Sequence, residues 1–188
     1  MYSKFQNKFL TADNQKRAFI NTQKIKTLWF NTGTLCNLAC KGCYIDSSPK
    51  NDRLAYLSID EFKNFVNESI QNKMGTEQIG FTGGEPFMNR DIFKMIKCSL
   101  ENDFKTLVLT NAMKPMLNNK SDLFKLNHLN LTIRVSIDHY SKDKHEQIRG
   151  PNSWAPMIEG LKWLSNNKFN YCLATRLMWN EDEKTTRK

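Results

Sequence analysis

Three cysteines stand close together in the segment "LCNLACKGCYIDSSP", which begins at Leu35. Cys36, Cys40 and Cys43 follow the spacing C-x-x-x-C-x-x-C, so a short loop can bring their thiolates to one soft metal centre. A closed structural zinc site needs four ligands, and the three histidines of the chain lie far from this loop. Three thiolates on an iron-sulfur cubane leave one iron without a protein ligand. The loop therefore favours an iron-sulfur site with an open iron over zinc or a chance spacing.

The elements around this loop alternate between strands and helices. Apolar runs predict five strands, "KTLWFNTG", "EQIGFTGGEP", "FKTLVLTNA", "LNLTIRVSIDHY" and "FNYCLATRLMW". The segments between them predict helices, with Ser58 and Glu61 in capping-box spacing and Asn89 as the cap of the second helix. The crossovers have the length that parallel strands require. The pattern predicts an α/β fold, either an open doubly wound sheet or a (β/α) barrel.

The carboxyl ends of the predicted strands carry the candidate ligands, and in both architectures ligands bind at that rim. In chain order the rim has Cys36, Cys40, Cys43, Gly83, Gly84, Glu85, Thr110, Asn111, Ser136, Asp138 and Arg176. Ser136 and Asp138 alternate along their strand and are expected to share one face. A plain turn explains Gly-Gly-Glu-Pro alone, and solvated strand ends explain Ser136 and Asp138 almost as well. Three thiols and a Gly-Gly-Glu turn on one rim nevertheless predict a common site.

The loop "CNLACKGC", taken with "GFTGGEP", resembles the radical S-adenosylmethionine (radical SAM) superfamily. The segment "VSIDHYSKDKHEQIRGPNSW" resembles its subfamily of peptide-maturing enzymes and GTP cyclisers of molybdopterin synthesis, and the resemblance runs from about Trp29 to Asn180. It implies that the three cysteines hold a [4Fe-4S] cluster whose fourth iron binds S-adenosylmethionine (SAM). It also implies reductive cleavage of SAM to a 5'-deoxyadenosyl radical, which takes a hydrogen atom from the substrate.

The same resemblance implies that the glycine turn binds the cofactor. Gly83 and Gly84 would let the backbone approach the methionyl part of SAM, and Glu85 would accept hydrogen bonds from its ammonium group. Many family members have an aromatic residue just before the last cysteine, where it packs near the adenine. This chain has Gly42 there, which leaves backbone contacts, and Tyr44 is the aromatic residue that follows the triplet.

Cofactor contacts are also implied for the later strand ends. Ser136 and Asp138 stand where the family contacts the ribose or the carboxylate of SAM. Thr110 and Asn111 lie on the same rim, and Arg176 would neutralise the cofactor's carboxylate. The further partners implied by the resemblance are a peptide or small-molecule substrate and an external electron donor such as flavodoxin or ferredoxin.

The family core has six strands, and the sequence predicts five. We therefore expect a partial TIM-like (β/α)6 radical SAM barrel, with an N-terminal extension over 1–25 and a core domain over 26–188 that is truncated before its sixth strand. The missing strand keeps two alternatives open. One is a non-catalytic iron-sulfur or zinc module, and the other is an inactive fragment of a radical SAM enzyme.

Composition adds weaker expectations. The chain is 39% hydrophobic and has no apolar run that fits a signal peptide or a membrane helix, so we expect a cytoplasmic protein with reduced thiols and no membrane partner. Cys98 and Cys172 are predicted to be small buried apolar residues.

The net charge of +9 would suit RNA or another acidic partner. Because the lysines are scattered, a solvated basic surface is the preferred interpretation, and RNA binding stays a third possibility.

Overall fold

A computed structural model describes residues 7–20, 23–127, 129–177 and 180–186. Five parallel strands form one sheet in sequential order: β1 (Thr27–Asn31), β2 (Gln78–Thr82), β3 (Lys105–Thr110), β4 (Leu131–Asp138) and β5 (Asn170–Thr175). The helices are α1 (Ile59–Gln71), α2 (Ile92–Glu101), α3 (Lys114–Leu117), α4 (Lys120–Lys125), α5 (Lys142–Arg149), α6 (Trp154–Asn166) and α7 (Glu183–Thr186). The predicted α/β alternation of five strands is confirmed. None of the helices in the described ranges is both long and apolar enough to traverse a bilayer.

Helices cover one face of the sheet. Alternate strand residues such as Phe81, Val108 and Ile133 are fully buried there and belong to the core that includes residues of α1, α2 and α6. The intervening side chains point to the opposite face, because successive residues of a strand alternate. We call this opposite face the pocket face. It carries Trp29, Gly80, Thr82, Leu107, Leu109, Arg134, Ser136 and Cys172.

The two predicted helix caps have different outcomes. Ser58 and Glu61 form the predicted capping box at the start of α1. The cap predicted for α2 is wrong, because its N-cap is Asp91, which makes no side-chain capping bond. The side chain of Asn89 instead donates hydrogen bonds to the carbonyl of Thr32, 3.0 Å away, and to a second backbone carbonyl in the loop before α1. Asn89 thus joins the turn after β2 to the end of β1.

The end of β4 departs from a regular strand. The pairing with β5 shifts register between Ser136 and Asp138, and Asp138 has a φ of 55°. The simple alternation that would give these two residues one common face is therefore interrupted.

Cys172 of β5 is exposed, so the prediction that it is buried is wrong, and Cys98 is only partly buried. Cys172 is exposed because β5 is an edge strand of the described sheet, where residues of both faces are exposed. The division into an extension and a core domain stays a prediction.

Candidate functional site

A pocket opens at the carboxyl ends of the strands and gathers most of the predicted site residues. Those that line it are Cys36, Cys40, Cys43, Gly83, Gly84, Thr110, Asn111, Ser136 and Arg176. Three predicted residues do not line the pocket but bond to residues that do, namely Gly42, Glu85 and Asp138. The lining also includes six residues that were not predicted as ligands: Leu38, Tyr44, Ser47, Thr82, Leu109 and Arg149.

Backbone hydrogen bonds close the cysteine loop on itself and hold it against two other parts of the fold. The N–H of Cys36 donates to the carbonyl of Ser48, 3.2 Å away, which closes the loop on itself. The N–H of Lys41 donates to the last turn of α5 at Ile148, 2.8 Å away. The carbonyl of Leu35 accepts from the N–H of Glu85 at 3.0 Å. The loop that carries the thiols is thus fixed by the turn after β2 and by α5.

Burial dominates the chemistry of the free thiols. It raises the pKa of Cys36, which is 6% exposed, to about 12. The N–H of Leu38, 3.4 Å from this sulfur, and the side-chain amide of Asn111, 3.9 Å away, are donors that would stabilise a thiolate. Burial also raises the pKa of Cys40, and the charge of Arg149 opposes that shift. Metal binding at these thiols must therefore displace protons.

Two observations bear on what the pocket could hold. Within the described ranges, no three His, Cys, Asp or Glu side chains are grouped so that they could hold one metal ion. A cubane offers a different iron to each thiolate, so its ligands stand further apart than those of one tetrahedral zinc ion. The hydroxyl of Ser47 is buried without a hydrogen-bond partner and belongs to a residue of the lining. A bound group would supply the partner that such a buried hydroxyl normally has.

The glycines after β2 permit close packing on the cysteine loop. A Cβ on Gly84 would lie 2.1 Å from the carbonyl oxygen of Leu35, and one on Gly83 would lie 2.7 Å from the carbonyl oxygen of Gly33. Gly83 also has a φ of 134°, which residues with a side chain rarely adopt. The turn therefore needs glycine for its contact with the protein backbone, whether or not a cofactor is bound.

Glu85 turns its carboxylate into the protein. The side chain is 2% exposed and accepts hydrogen bonds from the hydroxyl of Thr110 at 2.8 Å, the N–H of Asn111 at 2.9 Å and the N–H of Phe87 at 3.2 Å. Burial raises its pKa to about 7, and these donors oppose the shift. Glu85 therefore fixes Thr110 and Asn111, two lining residues. Its implied contact with the ammonium group of SAM stays a prediction.

Asp138 joins two arginines at the opposite wall. One carboxylate oxygen lies 2.6 Å from Nε of Arg149, and the other lies 2.8 Å from Nε of Arg176. Arg176 also donates from Nη1 to the carbonyl of Gly42 at 3.5 Å, so this group reaches the cysteine loop. Arg149 was not among the site residues predicted from the sequence. Arg149 belongs to the segment "HEQIRG" and ends α5, the helix that follows Asp138. That segment lies within the resemblance to the family, and this was the signal that could have identified the residue.

An aromatic ring does line the pocket, although Gly42 replaces the expected one. The hydroxyl of Tyr44 lies 2.9 Å from the hydroxyl of Thr82 on the pocket face, so the side chain extends from the cysteine loop to β2. Gly42 has a φ of 66°, which directs the loop backbone through a conformation that favours glycine. The ring available to a flat ligand is therefore that of Tyr44.

Comparison with known proteins identifies relatives of the chain. A family model described as the Radical SAM superfamily matches residues 30–186. The antilisterial bacteriocin subtilosin biosynthesis protein AlbA of Bacillus subtilis is 30% identical over 133 residues, which are 70% of this chain and 29% of AlbA. The GTP 3',8-cyclase of Photorhabdus laumondii is 30% identical over 129 residues, which are 68% of this chain and 38% of the cyclase.

Solved structures share the fold. SuiB of Streptococcus suis bound to S-adenosylmethionine superposes with a TM-score of 0.59 at 18% identity, over 87% of this chain and 43% of SuiB. The structure of native anSMEcpe with bound AdoMet gives a TM-score of 0.63 at 16% identity, over 79% of this chain and 42% of anSMEcpe. The chain therefore spans less than half the length of these relatives. The expected partial radical SAM fold is confirmed.

Proposed function

Because the chain belongs to the radical SAM superfamily, we propose that it holds a [4Fe-4S] cluster on Cys36, Cys40 and Cys43 and binds SAM beside it. The observation that carries this proposal is the common pocket, in which the three thiols face Gly83 and Gly84. The family match over 30–186 supports it, and so do the relatives whose structures contain bound SAM. When bound, the cluster and SAM supply the radical chemistry that side chains lack.

The residues of the chain would bind and orient these groups. The amide of Asn111, bonded to Asn37 at 2.8 Å, would keep its contact with the sulfur of Cys36. The backbone of the glycine turn would accept the methionyl part of SAM, and the arginine pair on Asp138 would face its carboxylate. The ring of Tyr44 would pack on the adenine and limit access of water.

We assign a peptide as the substrate class. AlbA is named for bacteriocin biosynthesis, and SuiB has been solved with the precursor peptide SuiA, and both support this assignment. A cluster that cleaves SAM needs one electron for each cleavage, and an external donor such as flavodoxin or ferredoxin would supply it. Reaction on the peptide would begin with removal of a hydrogen atom.

Anaerobic reconstitution tests the proposal. The full chain is loaded with iron and sulfide, reduced with dithionite and mixed with SAM, and both 5'-deoxyadenosine and the spin-resonance signal of the cluster are measured. We expect about four irons per chain, a signal that SAM changes, and formation of 5'-deoxyadenosine. Cys40→Ala should lose the cluster. Cys172→Ala is the matched control, because it removes an exposed thiol outside the loop and should retain full iron content.

Two other results would replace the proposal. If the cluster assembles but SAM neither alters its signal nor is cleaved, the chain is a non-catalytic iron-sulfur module. If aerobic purification yields zinc and no cluster can be assembled, both iron-sulfur functions are wrong. RNA binding with a steep salt dependence would instead support the third possibility.

A further inference from the structure

Arg134, in the middle of β4, carries a charge that has no partner in the described part of the chain. Its guanidinium makes no hydrogen bond or ion pair there, whereas Arg149 and Arg176 both bond to Asp138. The residue is only partly exposed. A guanidinium has five N–H donors, and those of Arg134 reach solvent, because none of its nitrogens is buried without a hydrogen-bond partner. These donors are therefore available to an anion from outside the chain.

Strand register places Arg134 beside the pocket. It pairs with Leu109 of β3, which lines the pocket, and it stands two residues before Ser136, which also lines it. Directly paired residues of parallel strands point to the same side, as do residues two apart in one strand. Arg134 therefore continues the floor of the pocket along the pocket face, toward the amino ends of the strands.

An apolar surface lies on the same face. The ring of Trp29 is 49% exposed and covers Gly80, where a Cβ would lie only 2.4 Å from the ring. Leu107 pairs with Gly80 and continues this surface toward β4. The pocket face thus offers an aromatic and aliphatic surface next to a single guanidinium, a combination that suits a ligand with an acidic group flanked by apolar groups.

The charges nearby leave Arg134 unneutralised. Asp138 is the only acidic residue in the five described strands, and both of its carboxylate oxygens are engaged by Arg149 and Arg176. The chain as a whole has a net charge of +9. The pocket face is therefore electropositive at Arg134, and a carboxylate would be attracted there.

We propose that Arg134 binds the carboxylate of an acidic residue in the peptide substrate, with Trp29 and Leu107 in contact with an apolar residue beside it. This inference rests on the proposed function, because it names a feature of the substrate of the same pocket. A guanidinium can donate two parallel hydrogen bonds to one carboxylate. Arg134 would then fix the peptide at a defined distance from the cofactor and select peptides with an acidic residue near the reacting one.

A matched peptide library tests this assignment. Octapeptides blocked at both ends are made in three sets that differ only in having Glu, Gln or Lys at one position among apolar neighbours. The full chain, loaded with cluster and SAM, is immobilised, and the retained peptides are quantified by mass spectrometry. The wild-type chain should retain the Glu set about tenfold better than the Gln set, as expected for a charge-assisted hydrogen bond.

Variants separate a specific contact from general attraction. Arg134→Gln should abolish the preference for Glu, Arg134→Lys should keep part of it, and Arg134→Glu should favour the Lys set. Arg90→Gln is the control, because it removes the same charge from an exposed turn before α2 and should leave the preference unchanged. Unfolding temperature checks that each variant folds.

Three outcomes overturn the inference: no preference in the wild-type chain, an unchanged preference in Arg134→Gln, or an equal loss in Arg90→Gln. Displacement of all peptides by GTP, without a preference for Glu, would assign the site to a nucleotide and also overturn it. SAM cleavage is measured in the same samples without peptide. If the wild-type chain fails to cleave SAM, the proposed function is wrong, while peptide retention still decides the role of Arg134.

Discussion

Replacement of Gly84 by alanine tests why the turn after β2 contains paired glycines. The new Cβ would lie 2.1 Å from the carbonyl oxygen of Leu35 and 2.8 Å from that of Thr34. To reach an ordinary contact, the turn and the start of the cysteine loop must separate by about 1 Å. Both partners are backbone atoms, so a change of side-chain rotamer cannot relieve the contact.

The separation would also stretch two hydrogen bonds. The N–H of Gly84 donates to the carbonyl of Gly33 at 2.8 Å, and the N–H of Glu85 donates to the carbonyl of Leu35 at 3.0 Å. Overpacking costs about 1–3 kcal/mol, and each weakened backbone hydrogen bond adds about 1 kcal/mol. We expect Gly84→Ala to lower the free energy of unfolding by about 3–5 kcal/mol, which is a fall of roughly 10–15 °C in Tm for a chain of this size.

Thermal unfolding of the metal-free chain and iron content after reconstitution measure this effect. Gly150→Ala is the control, because Gly150 also lies at a positive φ, 98°, but a Cβ there would meet no atom within 4 Å. Backbone strain alone should cost about 1–3 kcal/mol at Gly150 and leave the iron content intact. If Gly84→Ala has wild-type stability and iron content and loses only affinity for SAM, the packing argument is wrong and the glycine serves the cofactor.

Three further predictions concern the charged and thiol groups of the site. Asp138→Asn should destabilise the chain by about 2–4 kcal/mol in urea unfolding, because a nearly buried arginine, Arg149, loses its counter-charge; wild-type stability would contradict this ion pair. Glu85→Gln should cost about 1–3 kcal/mol, because the amide cannot accept from all three donors. The pKa of Glu85 is raised from 4.5 to about 7, so its contribution to stability is complete below about pH 4.5 and is lost as the pH rises to 7. The free energy of urea unfolding of the metal-free chain should therefore fall over this pH range, and Glu85→Gln should remove that fall. Iodoacetamide at pH 8 should modify Cys172 rapidly and Cys36 slowly in the metal-free chain, because Cys172 is exposed and Cys36 is buried with a pKa of about 12. Mass spectrometry measures the order of modification, and faster modification of Cys36 would contradict its burial.

The periodic part of the fold could be predicted because it depends on local patterns. The five apolar runs have strand length, and the capping box at Ser58 needs only residues three apart. The prediction that Asn89 caps α2 failed for a non-local reason. The amide of Asn89 donates to two backbone carbonyls from distant segments, and its oxygen accepts from the N–H of Asp91 at 2.8 Å, so Asp91 and not Asn89 precedes the first helical residue. Nothing in the neighbouring sequence indicates the two carbonyls.

The same limit applies within the site. The sequence placed the cysteines and glycines on one rim, because parallel strands bring their carboxyl ends together. It could not reveal that the two oxygens of Glu85 would be taken by three donors of the protein, since two of these donors belong to β3 and the residue after it. The predicted site also left out Arg149, whose place in the site depends on its ion pair with Asp138.

The arrangement around Asp138 explains how the pocket can accept negative charge. Two guanidiniums share one carboxylate, which leaves one positive charge in excess beside the thiols. Burial favours the neutral thiols of Cys36 and Cys40 while they are metal-free, and these two thiols gain negative charge when a metal displaces their protons. The charge of Arg149 already favours the thiolate of Cys40. The excess positive charge of the arginine pair would therefore favour the thiolate form of the site, which is the form that binds a metal.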